Sequence, residues 1–205
     1  MQLEKDLKER IQSGEIIHFS IQDIGSMNSI IEKLSINLSD VPIFSLLKTA
    51  IIEFVLNAFK ASQKRRFFID HGYSIINDYK AGLEAFRRAI NDGKIKGNIL
   101  DKNIKPVHMI LKRENEFFKL TVSNAVTMTE EEFRIVQKIF LQGREISGIE
   151  DHLSGNNEAE GAGLGLLLIF SMLKNANLPP SYILFDTDRD ETKFELLIPL
   201  ACFTS

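Results

Sequence analysis

The sequence predicts an α/β sandwich of two layers, in which a mixed, mostly antiparallel sheet is covered on one face by helices. Three observations point to it. From Pro42 to about Ser62 the pattern is that of a long amphipathic helix, with Leu47, Ile51, Phe54, Val55 and Ala58 on one stripe. Residues 106–124 and 181–200 alternate in the manner of β-hairpins around the turns Glu114-Asn115-Glu116 and Asp188-Arg189-Asp190-Glu191. An apolar helical run from Leu164 to Ala176 lies between the two hairpins, entered from a glycine-rich segment and ended by Leu178-Pro179-Pro180.

The remaining elements follow in order. Residues 2–13 read as a charged helix, and Glu15 to Gln22, bounded by Gly14 and Asp23, as a strand. Asp23 to Leu38 is helical, and Asp40 and Pro42 open the long helix. From Lys64 to Lys105 the pattern changes, with a second helical stretch over Ser74 to Ile90 flanked by Gly72 and by Asn91-Asp92-Gly93, which reads as an insertion. It holds ten Lys and Arg against five Asp and Glu, so it is either a docking surface for an acidic protein partner or a solvated helix face. The first hairpin puts Leu120, Val122 and Asn124 on one face, and Thr129 followed by three glutamates starts a helix that runs to about Leu141. Gln142 to Glu160 is polar and without apolar periodicity, the signature of a loop.

A length of 205 residues suits a single domain with this insertion, spanning 1–205. The net charge of −3 gives no general attraction to nucleic acid or membrane. A single Cys202 excludes an internal disulfide and fits a reducing cytoplasm. The N-terminus is charged and lacks an apolar signal core, and no run reaches the roughly 18 apolar residues that span a bilayer, so a cytoplasmic protein is expected. Nothing in the sequence fixes the oligomeric state.

Two segments carry chemistry. Glu53, Asn57 and Lys60 fall within about 60° of one another on the helix, a base, an oxygen ligand and a cation on one flank. Asn is a poor helix former, and its place between Leu56 and Ala58 suggests that its amide oxygen is wanted, for example by Mg²⁺. About a hundred residues later, Gly161, Gly163 and Gly165 lie at the start of a helix, where free amides can face phosphate. A Rossmann turn follows a strand directly, whereas these glycines follow the polar loop HLSGNNEAE, and no G-K-[ST] exists for a P-loop.

These residues resemble the GHKL superfamily, the Bergerat-fold ATPases that include gyrase, MutL and sensor histidine kinases, and most of all its histidine kinases and anti-sigma-factor kinases. The N box ExxxNAxK is matched by Glu53, Asn57, Ala58 and Lys60, and the G2 box GxGLGL by Gly161, Gly163, Leu164, Gly165 and Leu166. The closing strand G-T-x-F-x-L-x-x-P is similar to Glu191-Thr192-Lys193-Phe194-Glu195-Leu196-Leu197-Ile198-Pro199. The resemblance implies ATP and Mg²⁺ as cofactors. By it Asn57 ligates Mg²⁺, Glu53 orients or activates the attacking group, Lys60 touches phosphate, the G2 residues cradle it, and 142–160 is an ATP lid. The G1 box V-x-D-x-G-x-G departs: it reads Val122-Ser123-Asn124-Ala125-Val126-Thr127-Met128, so Asn124 replaces the adenine-reading Asp and both glycines are lost. A neutral Asn still accepts a hydrogen bond from adenine, more weakly than a carboxylate. None of His18, His71, His108 and His152 is followed by the acid and proline of a phosphoacceptor helix. The expectation is an ATP-dependent protein kinase of histidine-kinase type that phosphorylates a separate partner, or else a non-catalytic, nucleotide-gated interaction module.

Overall fold

Strands β1 (Ile17–Ile21), β2 (Val107–Glu114), β3 (Phe117–Asn124), β4 (Ile183–Thr187) and β5 (Thr192–Pro199) form one sheet in the order β1-β2-β3-β5-β4. This is a computed structural model of the chain, describing residues 9–10, 13–38, 43–95, 104–145 and 163–203. Every pairing is antiparallel, so among the described residues the sheet is not mixed. The two hairpins make neighbours antiparallel by construction, and β1 and β5 join β2 and β3 in the same sense.

Period-two burial separates the faces. Met109, Leu111, Phe118, Leu120, Val122, Phe194, Leu196 and Ile198 are buried and belong to the main core. On the opposite face Thr121 Oγ1 donates to Glu195 at 3.2 Å, and Glu195 pairs with Lys119 at 2.9 Å. Lys112 lies directly opposite Lys119, and the repulsion of that pair is offset by Glu114, which reaches both at 2.8 and 3.6 Å. The two outer strands have five residues each and the three inner ones eight.

The helical layer is α1 (Ile24–Leu38), α2 (Phe44–Asp70), α3 (Tyr79–Asn91), α4 (Glu130–Glu145) and α5 (Leu164–Asn175). Asp23 caps α1, accepting from the Ser26 amide at 2.6 Å while Ser26 Oγ accepts from the Asp23 amide at 3.2 Å. The apolar stripe of α2 is buried as its pattern requires, and α2 also touches β2, β3 and α5. No helix among the described residues is long and apolar enough to cross a membrane.

Three boundaries differ from the sequence reading. α2 does not stop near Ser62 but continues for 27 residues, about 40 Å at 1.5 Å per residue, because Phe67 and Phe68 find a second small core with Phe86 and Ala89. It ends in a Schellman turn: the Tyr73 amide donates to Phe68 O at 2.9 Å, the Gly72 amide to Ile69 O at 3.3 Å, and the Tyr73 ring packs on Phe68. α3 begins at Tyr79 rather than Ser74, since Ser74 and Asp78 bond one another's neighbourhood in a local turn. α4 continues past Leu141 through Glu145, so Gln142 and the buried Gly143 are helical and not part of a lid. The rest of the expected lid, 146–160, lies outside the described residues, as do Gly161 and most of the expected helix over 2–13.

Candidate functional site

A cavity of about 380 Å³ opens between α2, α3, α4, the start of α5 and the ends of β3 and β5. Asn57 and Lys60 enter it from α2, Asn124 from β3 and Gly163 from the start of α5. Four residues singled out in distant parts of the sequence therefore share one space. Its apolar walls come from Leu83 and Phe86 of α3, Val136 and Ile139 of α4, Leu166 of α5 and Phe194 of β5. A wider cleft of about 1070 Å³ shares Tyr79, Val126, Thr127 and Met128 with it but contains none of the expected site residues.

Asn124 is the most constrained polar group of this cavity. Only 4% of it is exposed, and its Nδ2 donates to Ser62 Oγ at 3.2 Å and, more loosely, to the Ala58 carbonyl at 3.4 Å. A carbonyl only accepts, so the Ala58 contact fixes which way the amide is turned. Oδ1 is then left as an acceptor with no partner among the described residues. An acceptor left open in this way on a cavity-lining residue is one that a ligand N–H can satisfy.

The segment after Asn124, where the resemblance leads one to expect glycines, is held by side chains instead. Thr192 Oγ1 donates to Val126 O at 2.7 Å, Arg65 Nη2 to Thr127 O at 2.5 Å and Thr127 Oγ1 to Arg189 O at 2.7 Å, while the Met128 amide donates to Thr187 Oγ1 at 3.2 Å. None of residues 125–128 has a positive φ, so this path does not require glycine. Thr192 stands opposite Asn124 in the sheet register and lines the same cavity. The closing-strand motif contained it, but its part in the site was not foreseen.

Glu53 and the G2 residues meet differently from expectation. One turn before Asn57, the Glu53 carboxylate lies on Gly165, where an added Cβ would fall 1.7 Å from Oε2. Gly165 thus makes room for an acidic side chain at the positive end of α5, a favourable placement for a carboxylate. Glu53, Leu164 and Gly165 do not line the cavity, and Leu164 is exposed. Gly163 is required twice over: it has φ 118°, and a Cβ there would lie 2.6 Å from Ile139 Cδ1. Among the described residues no side-chain cap bond is made at the N-cap of α5.

A polar cluster in the cavity wall was only partly legible in the sequence, which showed the helix start at Thr129 but not the partners of Glu132. Glu132 forms a capping box with Thr129, accepting from the Thr129 amide at 2.7 Å while its own amide donates to Thr129 Oγ1 at 3.2 Å. The same carboxylate pairs with Lys64, with Arg65 at 3.0 Å, and accepts from the Tyr79 hydroxyl at 3.3 Å. Burial acts to raise its pKa, but the Lys64 charge and hydrogen bond, the Thr129 amide and Arg65 together hold it below the ordinary value. Burial first, and then the Glu132 charge, push the Tyr79 phenol up. Lys64 and Arg65, counted above toward a basic docking surface, are instead engaged inside the fold.

No cluster of three His, Cys, Asp or Glu able to hold a metal occurs among the described residues, so a cation at Asn57 would depend on ligand oxygens and water. His18 and His108 are exposed on strands, and His71 closes α2, stacked on Phe67 at 4.0 Å; His152 lies outside the described residues. No family model matches the chain, and no solved structure matches it. The chain is similar to an uncharacterized protein of Treponema pallidum (strain Nichols), 29% identical over 163 aligned positions that take in 73% of this chain and 30% of the relative. It therefore spans under a third of the length of that relative.

Proposed function

We propose that the chain binds ATP with Mg²⁺ in the cavity between α2, α4 and α5 and, like the histidine-kinase-type GHKL proteins that its motifs resemble, passes phosphate to a separate protein partner in cytoplasmic signal transduction. The observation that supports this reading is the convergence of Asn57, Lys60, Asn124 and Gly163 on one apolar-walled space, with Asn124 Oδ1 left as an open acceptor. The amino group of adenine donates to Oδ1, and the base lies against Val136, Ile139 and Phe194. Lys60 and the start of α5 at Gly163 face the phosphates. Asn57 offers its amide oxygen to the metal, which when bound supplies charge neutralisation at the phosphates. Glu53 orients the attacking group, and the acceptor comes from another protein because no histidine here has a phosphoacceptor setting.

Thermal unfolding tests the binding half. A ligand specific to the folded state at a hundred times its dissociation constant adds about 2.7 kcal/mol, so millimolar ATP with Mg²⁺ raises the melting midpoint of the wild type and raises that of Asn124→Ala less. An unchanged midpoint defeats the proposal. One observation favours a second reading, a nucleotide-gated interaction module without transfer: Glu53 rests on Gly165 and does not line the cavity. Radiolabel transfer from ATP to candidate partners decides between the two, since equal labelling by wild type and Glu53→Gln removes Glu53 from the chemistry.

A further inference from the structure

We infer that Arg87, on α3, is a second phosphate-binding cation of the cavity, which makes the helix after α2 a wall of the ligand site; this rests on the nucleotide reading above. α3 is pressed onto the far half of α2. A Cβ on Gly82 would lie 2.6 Å from Phe68 Cζ, the Phe67 and Phe86 rings are 5.5 Å apart, and Tyr79 bonds Glu132 of α4. So fixed, α3 turns Leu83, Phe86, Arg87 and Ile90 to the cavity that Lys60 and Asn57 enter from α2.

Arg87 differs from its basic neighbours in its pairing. Lys64 and Arg65 are engaged by Glu132, Arg66 by Asp70 at 2.8 Å, and Arg88 reaches back to the Glu84 carbonyl. Arg87 and Lys60 alone among the basic residues lining the cavity form no ion pair or hydrogen bond with a described residue. The acid in the lining, Glu132, is already neutralised by its two cations, so the uncompensated charge facing a ligand is positive and comes from two helices. Apolar walls with two free cations fit a ligand that has a flat apolar body and an anionic end, and a guanidinium meets phosphate oxygens in bidentate fashion.

Calorimetric titration of the full chain with adenosine, ADP·Mg²⁺ and ATP·Mg²⁺ tests this. Arg87→Ala is expected to weaken ADP and ATP by about tenfold, the scale of one charge-assisted contact, to leave adenosine unchanged, and to keep the melting midpoint of the free protein. Arg88→Ala is expected to change none of the three. If the wild type binds ATP and Arg87→Ala binds it equally well, or loses adenosine to the same degree, the assignment of Arg87 falls while the nucleotide reading stands. If the wild type binds no ATP, both fall together.

Discussion

The two halves of α2 use the same residue types to opposite ends. Over Glu53 to Lys60, Asn57 and Lys60 line a cavity with no polar partner among the described residues. Over Lys64 to Asp70, each cation is matched: Lys64 and Arg65 by Glu132, Arg66 by Asp70. The first half leaves polar side chains open toward a cavity, the condition for binding something; the second matches its charges against α4 and against its own last turn, the condition for holding a fold, although Arg65 Nη1 stays buried there without a hydrogen-bond partner among the described residues. Sequence composition does not separate the two, because a Lys on a helix face reads alike in both settings.

The largest effect should come from the closed half. Glu132→Gln leaves Lys64 and Arg65, 16% and 17% exposed, without their counter-ion, and is expected to cost about 3 kcal/mol in urea unfolding at neutral pH. The pKa of Glu132 is lower folded than unfolded, so its contribution is complete above its ordinary 4.5 and fades as pH falls from there through the folded value. The gap between wild type and Glu132→Gln should therefore narrow on acidification; a gap that is constant with pH would mean the pair contributes little. Next in size is Gly165→Ala, expected to cost about 2 kcal/mol as overpacking against Glu53. In a Glu53→Ala background most of that cost should vanish, and a double-mutant cycle without coupling would separate the two sites. Smallest is Lys60→Ala. Its side chain is exposed and unpaired, so stability should stay within about 0.5 kcal/mol while ATP affinity drops, and a large loss of stability would make the open half structural as well.

Much of the fold was legible because local pattern and tertiary burial agree. The stripe Leu47, Ile51, Phe54, Val55 and Ala58 is buried as read, and both hairpins turn where Asn115 and Asp188 announced. Of the candidate site, Asn57 and Gly163 were singled out because each broke a local expectation, an amide inside a helix and a glycine before a helical run, Lys60 by sharing the helix flank of Asn57, and Asn124 through the resemblance alone. The full length of α2 was not legible, since Gln63 to Arg66 looks like a polar stop until Phe67 and Phe68 meet α3. Nor was the place of Glu53 on Gly165, or the hold of Arg65 on Thr127, which joins residues 62 positions apart and leaves no periodic trace.

The narrowing of the sheet from eight-residue inner strands to five-residue outer ones has a consequence for life at high concentration. Among the described residues a foreign chain seeking to extend the ladder finds only a five-residue edge strand on either side, too little to register against for long. Taper at the rims thus works as a guard against edge-on stacking of copies, independent of whatever occupies the helical layer.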